Sequence, residues 1–257
     1  MKKLLSLILL LSFTIKAQVT DPFATEPIEP IKAKDVKIGT QIWSNKNLDV
    51  STYRNGDPIP EVQDKTAWAN LTTGAWCFGE YGKLYNWYAV NDPRGLAPNG
   101  YHIPTDAEWT ILTDYLGGEK IACKKMKSTN GWPSTFSGRG SYEKTCPNCS
   151  KWSAEYCNKV PCHTCKDQRT VSAYEPVKEL SGNGTNTSGF YGLPGGMRSD
   201  NGEPYGYNSQ WGYWWSSSED GTYFPIGRCL TNWYGYGVST FSFYYKQSGM
   251  SVRCIKD

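Results

Sequence analysis

The chain is 257 residues long, and its 27 Lys and Arg against 24 Asp and Glu leave a formal charge of +3. Such a balance gives neither the basic footprint of a nucleic-acid binder nor an acidic tail. With 11 Trp, 18 Tyr and 26 Gly but only 4 Met, the composition points to short strands, tight turns and long ordered loops.

The first 17 residues read as a secretory signal peptide. Lys2 and Lys3 give a basic start, residues 4–15 an apolar run, and Ala17 a small residue before a cut ahead of Gln18. The run is shorter than the about 20 apolar residues that a membrane span needs. No later apolar stretch is long enough either, so no membrane span is expected after cleavage. No cysteine adjoins the cut, and a lipid anchor there is not expected. The mature protein is placed outside the cytoplasm: secreted, periplasmic or at the cell surface. About 240 residues then remain, enough for one large domain or two small ones.

Residues 18–35 hold Pro22, Pro27 and Pro30 among acidic residues and read as an extended linker. One folded domain is expected over residues 36–257. It opens with VKIGTQIWSNKNL, where apolar Val36, Ile38 and then Ile42 surround a turn at Gly39, the pattern of a hairpin. The strongest local signal is YHIPTDAEWTILTDYLGG. Thr105 is placed as an N-cap with Glu108 three residues on, a capping box. Trp109, Leu112 and Leu116 follow as one buried stripe, and Gly117 and Gly118 stop the helix. A second, weaker helix runs from Glu119 to about Lys127.

Residues from about 138 to 180 read as an insertion: polar, without clear periodicity, and carrying five of the nine cysteines. Beyond them the chain is rich in Gly, Ser and aromatic residues, with strands expected at 223–230, 238–245 and 250–255. There is no tandem repeat of solenoid type.

The cysteines fall into two groups. Cys146-x-x-Cys149 and Cys162-x-x-Cys165 are two knuckles twelve residues apart, the spacing of a four-thiolate zinc site with Zn–S of about 2.3 Å. In a secreted chain disulfides compete for the same thiols and are the favoured reading. Either way the insertion has too little apolar content to fold without clips. Cys77, Cys123, Cys229 and Cys254 form an even set of disulfide candidates. No other cofactor is required by any motif.

The last third carries the candidate ligand-binding residues: Tyr223, Asn232, Trp233, Tyr234, Tyr236, Phe241, Phe243 and Tyr245. Tyr and Trp supply rigid contact area, and the interspersed Ser, Gly and Asn supply adaptable hydrogen bonds. A strand over 238–245 would put Phe241, Phe243 and Tyr245 on one face and Val238, Thr240, Ser242 and Tyr244 on the other. No set of nucleophile, base and orienting group is visible. His102 and His163 are the two histidines, and His102 is read as a packed residue at a helix start, not a base. The chain is expected not to be an enzyme.

Several phrases in order resemble the Fibrobacter succinogenes major paralogous domain family: VKIGTQIWSNKNLDV, TYRNGDPIP, TGAWC, YGKLYNWYAVNDPRGLAP, GYHIPTDAEWTILTDYLGG, GFYGLPGGMR, GYWWSSSE and SVRCIKD. That family is similar to C-type-lectin-like and formylglycine-generating-enzyme-like domains. IPTDAEW resembles their passage from strand to helix, and SVRCI their last core strand. The resemblance implies an α+β, C-type-lectin-like fold with two helices, small antiparallel sheets and long ordered loops that carry binding. It also bears on the thiols. Cys77 and Cys254 sit in family phrases and Cys123 and Cys229 outside them, which makes Cys123 and Cys229 candidate partners.

The aromatic third resembles the variable region of diversity-generating retroelement target proteins, which use the same kind of fold. The calcium–sugar motif of true C-type lectins is poorly matched: Glu175-Pro176-Val177 and Glu203-Pro204-Tyr205 occur, without a Trp-Asn-Asp. The reactive cysteine pair of formylglycine-generating enzymes is not matched around Cys229 and Cys254. The expected function is recognition of a protein or glycan ligand outside the cytoplasm. The alternatives are a polysaccharide-binding adhesion module, a divergent formylglycine-generating-type enzyme and a structural envelope protein.

Overall fold

The structure is a computed structural model that describes residues 35–137, 141–145, 170–174, 178–205, 210–221, 224–232, 237–242 and 244–257. All of them lie in one unit, Ala33–Asp257. The expected signal peptide, most of the expected linker and the cysteine quartet Cys146, Cys149, Cys162 and Cys165 fall outside the described residues.

The domain begins with the expected hairpin, β1 (Asp35–Ile38) and β2 (Gln41–Ser44). Gly39 takes the turn with φ 62°, a left-handed value that glycine adopts without penalty. The register sets Val36 opposite Trp43 and Lys37 opposite Ile42. Trp43 is therefore the inward ring of β2 and is fully buried. Ile42, expected beside Val36 and Ile38, points to the other face because strand neighbours alternate.

Two single-turn helices, α1 (Lys65–Ala69) and α2 (Trp87–Val90), bracket the hairpin of β3 (Trp76–Gly79) and β4 (Gly82–Asn86). Each starts on a side-chain cap: Asp64 accepts from the Ala67 N–H at 2.7 Å and Asn86 from the Ala89 N–H at 3.1 Å. Four helices among the described residues replace the expected two. Four or five residues are too few to print a helical period on a sequence.

After β5 (Tyr101–His102) come α3 (Asp106–Tyr115) and α4 (Glu119–Met126). The capping box on α3 is present in both halves. Trp109, Leu112 and Leu116 are buried, and Gly117 and Gly118 have φ of 101° and 88°, as the sequence predicts.

The segment read as an aperiodic insertion is entered and left through ribbons. β6 (Thr135–Ser137) pairs with β9 (Lys178–Leu180), and β7 (Ser141–Thr145) with β8 (Thr170–Tyr174), both antiparallel. Thr145 lies opposite Thr170, so the two ends of the cysteine-bearing stretch are held side by side.

The remaining strands are β10 (Met197–Arg198), β11 (Pro204–Tyr205), β12 (Trp211–Asp220), β13 (Phe224–Thr231), β14 (Ser239–Phe241), β15 (Gly249–Met250) and β16 (Ile255–Lys256). Three sheets result, in the orders β1-β2-β16-β5, β11-β10-β15-β4-β3 and β12-β13-β14. Their strand pairings are antiparallel. The class is thus α+β, mostly small antiparallel sheets with few helices. Among the described residues no helix is long and apolar enough to cross a membrane.

The β12–β14 sheet separates two cores. Tyr213, Trp215, Cys229 and Phe241 face one, with Tyr85, Trp87 and Met250. Trp214, Leu230 and Val238 face the other, with Trp43, Trp109, Leu112 and Phe190. Phe190 meets Trp43, Trp109 and Trp214 edge-on, with ring centroids 5.7–5.8 Å apart.

Arg253 is buried against this cluster, 4.5 Å from the Phe190 ring. It donates to Asn47 Oδ1 and to the carbonyls of Ser44, Phe190 and Tyr191 at 2.8–3.0 Å. No carboxylate is among these acceptors, and burial lowers its pKa to about 9. A buried charge is tolerated only when its donors are satisfied, so these four acceptors carry the desolvation cost between them.

Cys77, Cys123, Cys229 and Cys254 are buried free thiols, not the disulfides expected of them. They are spread over three cores. Cys123 donates to the Thr231 carbonyl and Cys229 to that of Leu230, so each of these two thiols is occupied locally. A buried thiol of this kind packs as a small hydrophobe.

Candidate functional site

Among the described residues of the last third, Trp211, Tyr213, Trp215, Phe241 and Tyr244 gather on one side of β12–β14. Along β12 the two-residue period sends Trp211, Tyr213 and Trp215 to that face. The register sets Trp215 opposite Gly227 and Gly227 opposite Phe241. A side chain on Gly227 would overlap the Phe241 ring. The missing Cβ is what leaves room for that ring against β13.

Tyr213 is the hub. Its ring centroid is 5.7 Å from Phe241, 6.1 Å from Tyr244, 6.2 Å from Trp211 and 6.4 Å from Tyr205. Trp211 stacks on it at 15°, whereas Phe241 and Tyr244 meet edge-to-face at 4.9 Å. These are the offset and T-shaped arrangements that ring quadrupoles favour. Exposure rises outward through the cluster. Tyr213 and Phe241 are buried, Trp211 and Tyr244 half-buried, and Tyr205 is 52% exposed. A second pair, Phe224 and the 56% exposed Tyr245, lies 5.9 Å apart.

Tyr213 and Tyr244 carry no charge at ordinary pH. Burial, followed by the neighbouring Cys229 and Tyr244, pushes the Tyr213 phenol far up. Burial likewise raises Tyr244. Both rings therefore act as neutral surfaces whose hydroxyls can donate or accept.

Of the residues singled out in the sequence, Asn232, Phe241 and Tyr245 are described, while Tyr223, Trp233, Tyr234, Tyr236 and Phe243 lie outside the described residues. Tyr245 is exposed. Phe241 is a core residue, because Gly227 leaves it room to lie inside. Asn232 is also buried: its Nδ2 donates to the Pro133 carbonyl at 3.3 Å, and its Oδ1 has no partner. The alternation expected over 238–245 fails because β14 ends at Phe241. Ser242 then turns its hydroxyl to Asp220 at 2.8 Å, and Tyr244 joins Phe241 rather than opposing it. Tyr205, Trp211, Tyr213 and Tyr244 were missed as members of the site. The Trp-Gly-Tyr-Trp-Trp run at 211–215 was the available signal for two of them.

His102 is not packed away. It is 39% exposed and bridges two carboxylates, Nε2 to Glu108 Oε1 at 2.8 Å and Nδ1 to Asp257 Oδ1 at 2.7 Å. Glu219 pairs with Lys246 at 2.5 Å. Among the described residues no group of three or more His, Cys, Asp or Glu is placed to hold a metal.

The profile of one protein family, described as the Fibrobacter succinogenes major domain, matches residues 36–256. No curated protein and no solved structure matches the chain.

Proposed function

The chain belongs to the Fibrobacter succinogenes major domain family, and from that premise we propose that it is a binding module, working outside the cytoplasm, that takes a protein or glycan ligand on the outer rings of the aromatic cluster of β12–β14, Trp211, Tyr244 and Tyr205. The observation that carries this reading is the graded cluster around Tyr213: buried rings fix the position of half-exposed Trp211 and Tyr244 and of exposed Tyr205. Rings held in this way lose little conformational freedom on binding, which is how aromatic paratopes gain affinity. The apolar faces of sugar rings and the side chains of a protein surface both fit such a platform. The two longer helices, the small antiparallel sheets and the long connecting loops support a C-type-lectin-like reading of the fold.

The proposed module is not an enzyme and uses no cofactor in recognition. Zinc or disulfides on Cys146, Cys149, Cys162 and Cys165 would serve the integrity of that segment alone.

Glycan arrays and a panel of envelope proteins, followed by tryptophan-fluorescence titration, test the reading. A ligand is expected whose affinity falls at least tenfold in Trp211→Ala while circular dichroism and Tm stay near those of the parent. Full affinity in both Trp211→Ala and Tyr205→Ala would remove the aromatic face from consideration.

A further inference from the structure

A second concavity lies away from the rings just described, on the loops 50–54 and 96–99. It encloses about 250 Å³. Leu96 and Ala97 are its buried floor and Val50 a half-buried wall, while Thr52, Arg54 and Asn99 are exposed at its rim. Arg54 is held from both ends. Its backbone N–H donates to Gly95 at 2.8 Å, its Nε to the Ala97 carbonyl at 3.0 Å and its Nη2 to the Tyr101 carbonyl at 2.9 Å.

Those bonds use two of the five guanidinium donors. They leave the Nη1–Nη2 end of the fork unclaimed, and among the described residues no carboxylate pairs with it. Thr52 and Asn99 likewise make no side-chain hydrogen bond among the described residues. A fixed, uncompensated guanidinium over an apolar floor, flanked by a free hydroxyl and a free amide, is an incomplete constellation.

We propose that this concavity binds a carboxylate on a molecule the size of one sugar ring, a uronic acid in type. The planar fork matches a carboxylate with two parallel N–H···O bonds. The apolar floor takes the ring face, and Thr52 and Asn99 take ring hydroxyls. A phosphate dianion fits less well, because Arg54 is the one cation in the lining. The site is independent of the aromatic face, and either stands if the other fails.

The test is calorimetric or NMR titration of the full chain with D-galacturonate and D-glucuronate, with D-galactose and inorganic phosphate as comparison probes. Saturable binding of a uronate is expected, at least tenfold tighter than galactose or phosphate, and weakening as salt is raised. Arg54→Gln should lose tenfold or more, the scale of a charge-assisted bond. Because Arg54 also ties down two carbonyls, Asn99→Ala is the companion variant. It removes no internal bond and should cost several-fold in affinity with Tm unchanged. Absence of saturable uronate binding, equal binding of galactose or phosphate, or unchanged affinity in both variants overturns the assignment.

Discussion

Arg228, on the middle strand β13, reaches the first residue of α3: its Nη2 lies 2.6 Å and its Nε 3.0 Å from the same Asp106 oxygen. The same Nη2 also donates to the Asp106 carbonyl at 3.0 Å and to Thr110 Oγ1 at 2.9 Å. The guanidinium is buried and the carboxylate a third exposed. Breaking such a pair from the carboxylate side takes the close partner from a buried charge and leaves Glu119, 3.9 Å from Nη1, as its remaining carboxylate among the described residues. Asp106→Ala is therefore expected to cost about 2–4 kcal/mol. Arg228→Met removes the buried charge itself and leaves Asp106 within reach of water, so it should cost less. Urea unfolding of the two variants checks the order, and a reversed order would count against this account.

The His102 bridge sets a pH window. Burial alone would lower the His102 pKa, but the hydrogen bonds to Asp257 and Glu108 and their charges raise it above 6.5. Burial alone would raise Glu108, yet the Thr105 N–H, His102 and the Thr105 hydroxyl bring it below 4.5. A raised histidine stabilises fully below its unfolded value and loses that contribution as pH rises through the folded value. A lowered carboxylate stabilises above its unfolded value and loses that contribution as pH falls through the folded one. Both contributions are present between 4.5 and 6.5. Screening at this half-exposed site limits the histidine share to about 0.5 kcal/mol. His102→Gln should flatten the decline of Tm between about pH 6 and 8; an unchanged slope would show that the bridge contributes nothing.

Four thiols should be silent in the native protein. Burial raises the pKa of Cys77 and Cys123, lifts Cys229 well above its ordinary value and pushes Cys254 to about 12. The thiolate is the reactive form. Peptide mapping after alkylation at pH 8 should find all four unlabelled before denaturation and labelled after it, without prior reduction. A disulfide-linked peptide containing any of them would refute their assignment as free.

Gly227→Ala probes the root of the aromatic cluster. The added methyl would meet the Phe241 ring and the Trp214 carbonyl. Displacing the ring should cost about 1–3 kcal/mol, the range for overpacking. It should also shift the near-ultraviolet circular dichroism of the ring cluster. A variant with unchanged stability and spectrum would mean that Phe241 is not seated where described.

The parts legible in the sequence are those whose causes are local. Thr105, Glu108, Gly117 and Gly118 start and stop α3 within a few residues of one another, and the stripe of Trp109, Leu112 and Leu116 follows from the turn of the helix alone. Which late rings lie inside is settled elsewhere in the chain. Phe241 is buried because residue 227 is glycine, and Tyr244 follows it inward because β14 stops short. Asn232 is drawn under Pro133, 99 positions away. α1 and α2 are stabilised by one capping side chain each, too faint a mark to separate from an ordinary polar loop. The anchored state of Arg54 depends on carbonyls at 97 and 101, which have no signature in side-chain identity.

The strand order β1-β2-β16-β5 has a consequence for biogenesis. Ile255 lies between Trp43 on one side and His102 on the other, and Arg253 just before it ties residues 44, 47, 190 and 191 together. The first sheet to be synthesised is thus missing its interior member until translation has passed residue 255. Loop closure over so long a span is entropically late. Completing this sheet therefore waits on contacts made across 210 positions, such as the one between Ser44 and Cys254.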